Sequence, residues 1–327
     1  MFILGGVVLL AVLWIGWQYR PSGALPDLPP DMTLERAAWL GVEWSMDAHS
    51  DAEIEALAQE LQAHEIDYAF VYVSYLKSGD FFNPTFDHAA TFTQRMHELA
   101  PDVTLLAWVG VPIQMTQPDG VYVANRLESA DVRAMIAEFG AQTVSELGFD
   151  GVHLNAELIP EGDEAFIATL EALRDALPPE AILSTAVHAL RLTENVTDIP
   201  YPTMAHHWSA DYLRRVAQNA DQVALMAYDS GLPFPADYRE WMAYQVRASA
   251  DALSGVDVNF LIGVPTSEEL TPSHNTTAES LTNALVGLRA GFAASDSPQV
   301  IDGLAVYPYW ETSADEWALL DTLLHGS

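Results

Sequence analysis

The sequence has no cysteine, and its single lysine is Lys77. Without thiols there are no disulfides, no thiolate-held zinc or iron–sulfur clusters and no cysteine nucleophile. Basic residues are scarce: 13 stand against 46 acidic ones, for a net charge of −33. Such a surface repels phosphate backbones, which excludes nucleic acid as a partner. No Gly-x-Gly-x-x-Gly follows a strand and no Walker-type loop is present, so no nucleotide cofactor is expected. No metal is expected either. Nothing in the sequence asks for a partner subunit, and a monomer is expected.

What is abundant is apolar. Half of the 327 residues are hydrophobic, enough to build a large core. Phe2 to Trp17 is an unbroken run of 16 apolar or glycine residues. Gln18 and Tyr19 extend it toward the roughly 20 residues of a spanning helix. Ser22-Gly23-Ala24 has the small-x-small form of a signal cleavage site. Residues 1–20 are therefore expected to be a transmembrane anchor or signal segment, with the membrane as a partner through this helix. Residues 21–36, which include four prolines between Pro21 and Pro30, read as a linker. Residues 37–327 are expected to lie outside the cytoplasm, membrane-anchored or secreted if the segment is cleaved. Arg20, placed after the run, argues for the opposite orientation.

From Ala37 onward, short apolar runs alternate with helical periodicity. The runs are Ala38–Trp44, Tyr68–Ser74, Thr104–Val109, Gly151–Asn155, Ile182–Val187, Gln222–Ala227, Asn259–Gly263 and Gly303–Tyr307. Helical spacing covers Ala52–Ala63, Ala130–Leu147, Glu164–Leu177, Asp237–Leu253 and Ala278–Ala293, with Asp51 and Thr277 as expected N-caps. Eight strands alternating with helices predict an α/β fold, a (β/α)8 TIM barrel preceded by the hydrophobic helix. A doubly wound open sheet is the rival; the count of eight and the length favour the barrel.

A barrel places its chemistry at the C-terminal ends of its strands. The polar and aromatic residues at those ends are Glu43, Tyr72, Trp108, Glu157, His188, Tyr228, Asp229, Trp310 and Glu311. Rings stack on pyranose faces while carboxylates bond hydroxyls and move protons, so a carbohydrate substrate is expected. In Gly148-Phe-Asp-Gly-Val-His-Leu-Asn-Ala-Glu157, the strand period of two sends His153, Asn155 and Glu157 into the barrel and Val152, Leu154 and Ala156 outward. Three inward polar groups are costly unless they bond each other or a ligand. For His153 alone, a hydrogen-bonded core histidine is the leading reading. Trp39, Trp241 and Trp317 read as plain packing. A metal hydrolase built on His153, His188 and Asp229 matches no ligand spacing.

This segment resembles the Asp-Gly-x-Asp-x-Asp-x-Glu signature of glycoside hydrolase family 18, the chitinase-like barrels. Asp150, Gly151 and Glu157 match; His153 and Asn155 replace two aspartates. Met226-Ala-Tyr228-Asp229 is similar to the family's strand-six Met-x-Tyr-Asp. Leu261-Ile-Gly-Val-Pro265 looks like its strand seven, and Trp310 falls where its strand-eight tryptophan lies. The resemblance spans roughly residues 37 to 325. It implies a retaining, substrate-assisted glycoside hydrolase acting on an N-acetylhexosamine glycan, chitin-like or from a cell wall. Glu157 is then the general acid, Tyr228 and Asn155 hold the acetamide, Asp229 shapes that subsite and Trp310 is its floor. Asp150, His153, Glu43, Tyr72 and Trp108 complete the expected substrate-binding set. The departures matter, because Asn155 carries no charge to stabilise a cationic intermediate. The alternative is a catalytically weak or inactive glycan-binding barrel displayed at the cell surface.

Overall fold

The computed structural model describes residues 2–21, 28–29, 32–83, 88–192 and 207–325. Eight parallel strands close into a barrel: β1 Glu35–Leu40, β2 Tyr68–Tyr75, β3 Thr104–Pro112, β4 Gly151–Glu157, β5 Ile182–Val187, β6 Gln222–Leu225, β7 Asn259–Pro265 and β8 Gly303–Tyr307. They pair in sequence order, and β8 closes on β1 through Ala37↔Ala305. Outward side chains such as Val71, Ala107, Val152, Leu154 and Ile262 are fully buried beneath the surrounding helices.

The strand runs match closely except at the first. The apolar pattern continues through Trp44, but β1 stops at Leu40 and Glu43–Met46 turns into one helical turn. There the Glu43 side chain folds back over Gly41; a Cβ on Gly41 would stand 2.2 Å from its carboxylate. Two caps also shift. Ser50, not Asp51, caps helix Asp51–Ala63, with Glu53 completing a capping box, and Ser280, not Thr277, caps helix Leu281–Ala294. In both cases a serine hydroxyl accepts the N3 backbone N–H, which is what an N-cap must do.

The expected helix over residues 1–20 forms as Phe2–Gln18. At 1.5 Å per residue it is about 26 Å long, and among the described residues no helix is long and apolar enough to cross a membrane. The transmembrane expectation is corrected accordingly. The helix end leans on the barrel instead. Trp14 and Tyr19 meet Phe234 edge-on at 5.1 and 5.9 Å, and Arg239 donates to the Arg20 carbonyl at 2.9 Å. Leu28, Met32 and Leu34, within the expected linker, pack against the core; residues 22–27 and 30–31 lie outside the described residues.

The barrel interior is plugged by aromatic and small residues, among them Ala37, Trp39, Phe70, Leu106, Ala224, Leu261 and Ala305. Through this plug runs a chain of polar side chains that follows the sheet register. His153, Ser184, Gln222 and Asn259 are successive register partners on β4 to β7. Trp39 Nε1–H donates to His153 Nε2 at 3.1 Å. His153 Nδ1 bonds Ser184 Oγ at 2.8 Å, and Ser184 donates to Gln222 Oε1 at 2.8 Å. Gln222 donates to Asn259 at 2.9 Å, and Asn259 donates to Glu35 at 2.5 Å. Gly151 opens β4 because no side chain fits there: a Cβ would stand 2.1 Å from the Ile182 carbonyl oxygen.

His153 is fully buried, and burial pulls its pKa down from 6.5 to about 3. It stays neutral while its unfolded counterpart protonates near 6.5. Its contribution to stability is therefore complete above that value and lost as pH falls toward 3. Replacing it strands the Trp39 N–H, at about 1–3 kcal/mol, and removes one of the two hydrogen bonds of the Ser184 hydroxyl, which still donates to Gln222. We expect His153→Phe to lose about 2–5 kcal/mol in urea unfolding at pH 7, with a shallower loss of stability between pH 6 and 4 than the parent. An unchanged midpoint at pH 7 would show that the belt contributes nothing.

Candidate active site

At the C-terminal mouth of the barrel lies a cavity of about 640 Å³, within the size range of small-molecule sites. Trp39, Trp108, Asn155, Glu157, His188, Tyr228, Asp229 and Tyr307 are among its lining residues. The walls are aromatic. Tyr228 and Tyr307 stack at 5.1 Å, and Trp39 meets both edge-on at 6.2 and 5.8 Å. Gly263 permits this arrangement, since a Cβ there would stand 2.8 Å from the Tyr228 ring and 2.7 Å from the Leu225 carbonyl oxygen.

Glu157 ends β4 and opens onto the cavity. Although the carboxylate is accessible from the mouth, the walls enclose it, and that burial pushes its pKa above the usual 4.5. A hydrogen bond from Asn155 pulls the other way, and the negative charge of Asp229 adds to the rise. The Asn155 amide thus donates to Glu157, while its carbonyl oxygen is buried without a partner. The indole N–H of Trp108 is also buried and unpartnered. Among the described lining residues these are the two buried side-chain polar atoms with no partner within the protein. Burial holds the Tyr228 hydroxyl well above its usual pKa of 10, with Tyr307, Asp229 and Glu157 adding to it.

Asp229 adopts a left-handed backbone, φ 54°, a conformation that non-glycine residues seldom take and that Asp tolerates better than most. Its carboxylate lies 3.4 Å from His274 Nδ1, and His274 is equally close to the buried Glu279. Burial disfavours a charged His274. Hydrogen bonds to Asp229 and Glu279 outweigh it, raising the pKa to about 10.

Of the residues predicted from sequence, Glu157, Asn155, Tyr228, Asp229 and Trp108 come together around one cavity. Others lie elsewhere. His153 sits beneath the floor with both ring nitrogens engaged, which removes it from substrate contact. Asp150 is at the opposite end of β4, some 20 Å away at about 3.3 Å per residue. There it accepts from the Leu105 N–H at 2.8 Å and pairs with His97 at 3.0 Å, tying β3 to β4. Tyr72 stands behind Trp108, edge-on at 5.1 Å, and Glu43 is folded over Gly41. Trp310 is not the floor. It is 48% exposed and touches Tyr307 edge-on at 6.0 Å, at the rim. The aromatic floor is Trp39, which reads from sequence as plain packing. His207, which with His206 reads from sequence as a loop pair at the solvent or substrate rim, borders the cavity; Tyr307 borders it without having been singled out, and His274 carries no sequence signal at all. His206 lies outside the described residues.

No protein-family model matches the chain, and no curated protein matches it significantly. Among solved structures, it is similar to the spore cortex-lytic enzyme SleL of Bacillus cereus, with TM-score 0.56 and 14% identity over 92% of this chain and 75% of that one. A chitinase of Rhizomucor miehei and a class V chitinase of Pseudomonas fluorescens Pf-5 each reach TM-score 0.56 and 14% identity, covering 89% of this chain and 99% of theirs. The neighbours of this eight-stranded barrel are thus chitinases and cortex-lytic enzymes, and what they share with it at this identity is the fold.

Because Glu157 has a raised folded pKa, ionising it costs stability. The cost is absent below the ordinary carboxylate range and grows as pH rises through the raised value. Glu157→Gln is expected to melt higher than the parent at pH 7.5, the gain vanishing near pH 4. Calorimetry at the two pH values checks this, and a Tm unchanged at pH 7.5 would contradict an unfavourably buried charge.

Proposed function

We propose that the chain is a retaining, substrate-assisted glycoside hydrolase acting on an N-acetylhexosamine glycan, chitin-like or from a cell wall. The observation that carries this reading is the pairing of a high-pKa carboxyl, Glu157, with the two unanswered polar atoms of the cavity. A secondary amide answers both: its N–H suits the Asn155 carbonyl oxygen and its C=O suits the Trp108 N–H. Buried polar groups that find no partner within the protein are the ones a ligand is expected to satisfy. The rings of Trp39, Tyr228 and Tyr307 offer apolar faces to a sugar. The fold neighbours named as chitinases support the same substrate class.

In this mechanism Glu157 donates its proton to the glycosidic oxygen as the bond to the anomeric carbon breaks. The substrate's own acetamide oxygen attacks that carbon, with Tyr228 and Asn155 orienting it. The resulting intermediate is opened by water, and Glu157 takes the proton back. A general acid must hold its proton at working pH, so enclosure and the charge of Asp229 both serve the step. The reading carries with it a location outside the cytoplasm, where such polymers lie.

Incubation with a fluorogenic chito-oligosaccharide tests this. Glu157→Gln is expected to lower kcat by about 10²–10⁴ while leaving oligosaccharide binding in place. Hydrolysis at the parental rate by this variant would refute the assignment. Asp229→Asn removes a charge that raises the Glu157 pKa, so the alkaline limb of its kcat/KM profile should move to lower pH. A limb unmoved or moved upward would contradict the coupling.

The neutrality of Asn155 favours one other reading, a barrel that binds the glycan without cleaving it. Saturable binding by the parent with no turnover under any condition, lost in Tyr228→Ala, would establish that reading in place of hydrolysis.

A further inference from the structure

We propose that Asp229, His274 and Glu279 form a divalent-cation site of the zinc or manganese class beside the candidate active site. The three residues come from two loops and the turn before helix Leu281–Ala294, and their ligand atoms lie within 4.8 Å of one another. His274 Nδ1 is 3.4 Å from an oxygen of each carboxylate. A cation centred among them stands about 2–2.5 Å from each, the coordination range of such ions.

The surroundings hold each group as a ligand needs to be held. His274 is 3% exposed, and its Nε2 lies 3.1 Å from the Ser267 carbonyl oxygen. That carbonyl can only accept, so Nε2 carries a hydrogen, and Nδ1 is the nitrogen that faces the two carboxylates, where a cation would take the place of its second hydrogen. A backbone carbonyl on the far nitrogen is the usual support of a metal-binding imidazole. Glu279 is 1% exposed, and its Oε1 accepts from the Ser230 hydroxyl at 2.9 Å and the Gly231 N–H at 3.1 Å. Its Oε2 takes the Ser230 N–H at 3.2 Å and faces His274. Three electron-rich atoms converging on one point require positive charge between them. A proton on Nδ1 supplies one unit against two carboxylates, over long contacts; a divalent ion offsets both.

There is also room and a route in. A second cavity of about 230 Å³ borders Asp229, His274, Ser267, Thr271 and Glu269, space for the waters that complete a coordination shell. The chain's charge of −33 draws cations to such a mouth. Imidazole with two carboxylates suits zinc or manganese better than the all-oxygen cages of calcium. Asp229 lines both cavities, so an ion held there also fixes a wall of the candidate active site. The site stands whether or not that neighbouring cavity hydrolyses a glycan.

Isothermal titration of Zn²⁺, and separately Mn²⁺, into chelator-stripped full-length protein tests the proposal. One ion per chain should bind saturably and raise Tm, with Asp229→Asn and Glu279→Gln each weakening it at least about tenfold. Co²⁺ at the same stoichiometry should give a visible band that His274→Gln abolishes. Asp229 is half exposed, so its variant reads out even if the buried ones fail to fold. No saturable ion in the parent, or equal affinity in Asp229→Asn, would overturn the site and leave the three residues as a proton-held ion triad.

Discussion

The barrel depends on a belt of side chains that can be hydrogen-bonded in only one direction. An indole N–H can only donate, so Trp39 fixes the start. An ionised carboxylate can only accept, so Glu35 fixes the end. Every group between must pass a hydrogen along, which makes Nδ1 the protonated nitrogen of His153 and the Ser184 hydroxyl a donor to Gln222. The belt joins β1, β4, β5, β6 and β7 and returns to β1, so it ties together strands whose backbones are not all neighbours. Hydrogen bonds aligned this way in a low-dielectric interior reinforce one another, and one unpaired member is correspondingly costly. Burial raises the Glu35 pKa while the Asn259 bond lowers it.

That belt accounts for the departure at position 153. In the family that strand four resembles, the place is held by an aspartate, and a second aspartate two residues on stands beside the acid. In this barrel His153 commits both nitrogens to Trp39 and Ser184 and carries no charge, and Asn155 carries none either. The negative charge that raises Glu157 comes across the cavity from Asp229 on the loop after β6. Asp229 in turn is held by His274, whose position depends on Ser267 and Glu279. Burial and the Asn155 hydrogen bond from its own strand act most strongly on the candidate acid, while the charge that reaches it comes from the far wall of the cavity through a single carboxylate, Asp229.

Much of this was legible in the sequence for a physical reason: strand and helix periods report which side of an element is buried. Ile182–Val187 and Gly303–Tyr307 match to the residue, and the alternation along β4 correctly turns His153, Asn155 and Glu157 inward. Periodicity says nothing about depth along the barrel axis, however. It cannot separate Trp39, which lines the cavity, from an equally buried ring below it, or show that Asp150 lies at the wrong end. It is silent about loops. His274 is 45 residues from Asp229, in a loop with no periodic pattern of its own, so only closure of the barrel brings them together. Trp310 misleads for a related reason. The turn Tyr309–Glu311 carries it outward, and Tyr307 from the strand proper takes the place beside Tyr228.

The contrast between the two levels of the barrel bears most directly on function. In the belt, each donor has an acceptor and the groups serve one another. One layer up, the Asn155 carbonyl oxygen and the Trp108 N–H are buried with no partner within the protein, and a buried polar atom left unpaired costs about 1–3 kcal/mol. A core that answers its polar groups with such consistency on one layer has the means to do so on the next. Two apolar substitutions would remove the cost, and a serine opposite Trp108 would answer the indole as Ser184 answers His153. An unanswered donor and acceptor on adjoining strands, walled by aromatic rings and opening to solvent beside a carboxyl whose pKa burial raises, are affordable where a ligand restores the missing bonds, and so belong with a site rather than with the scaffold.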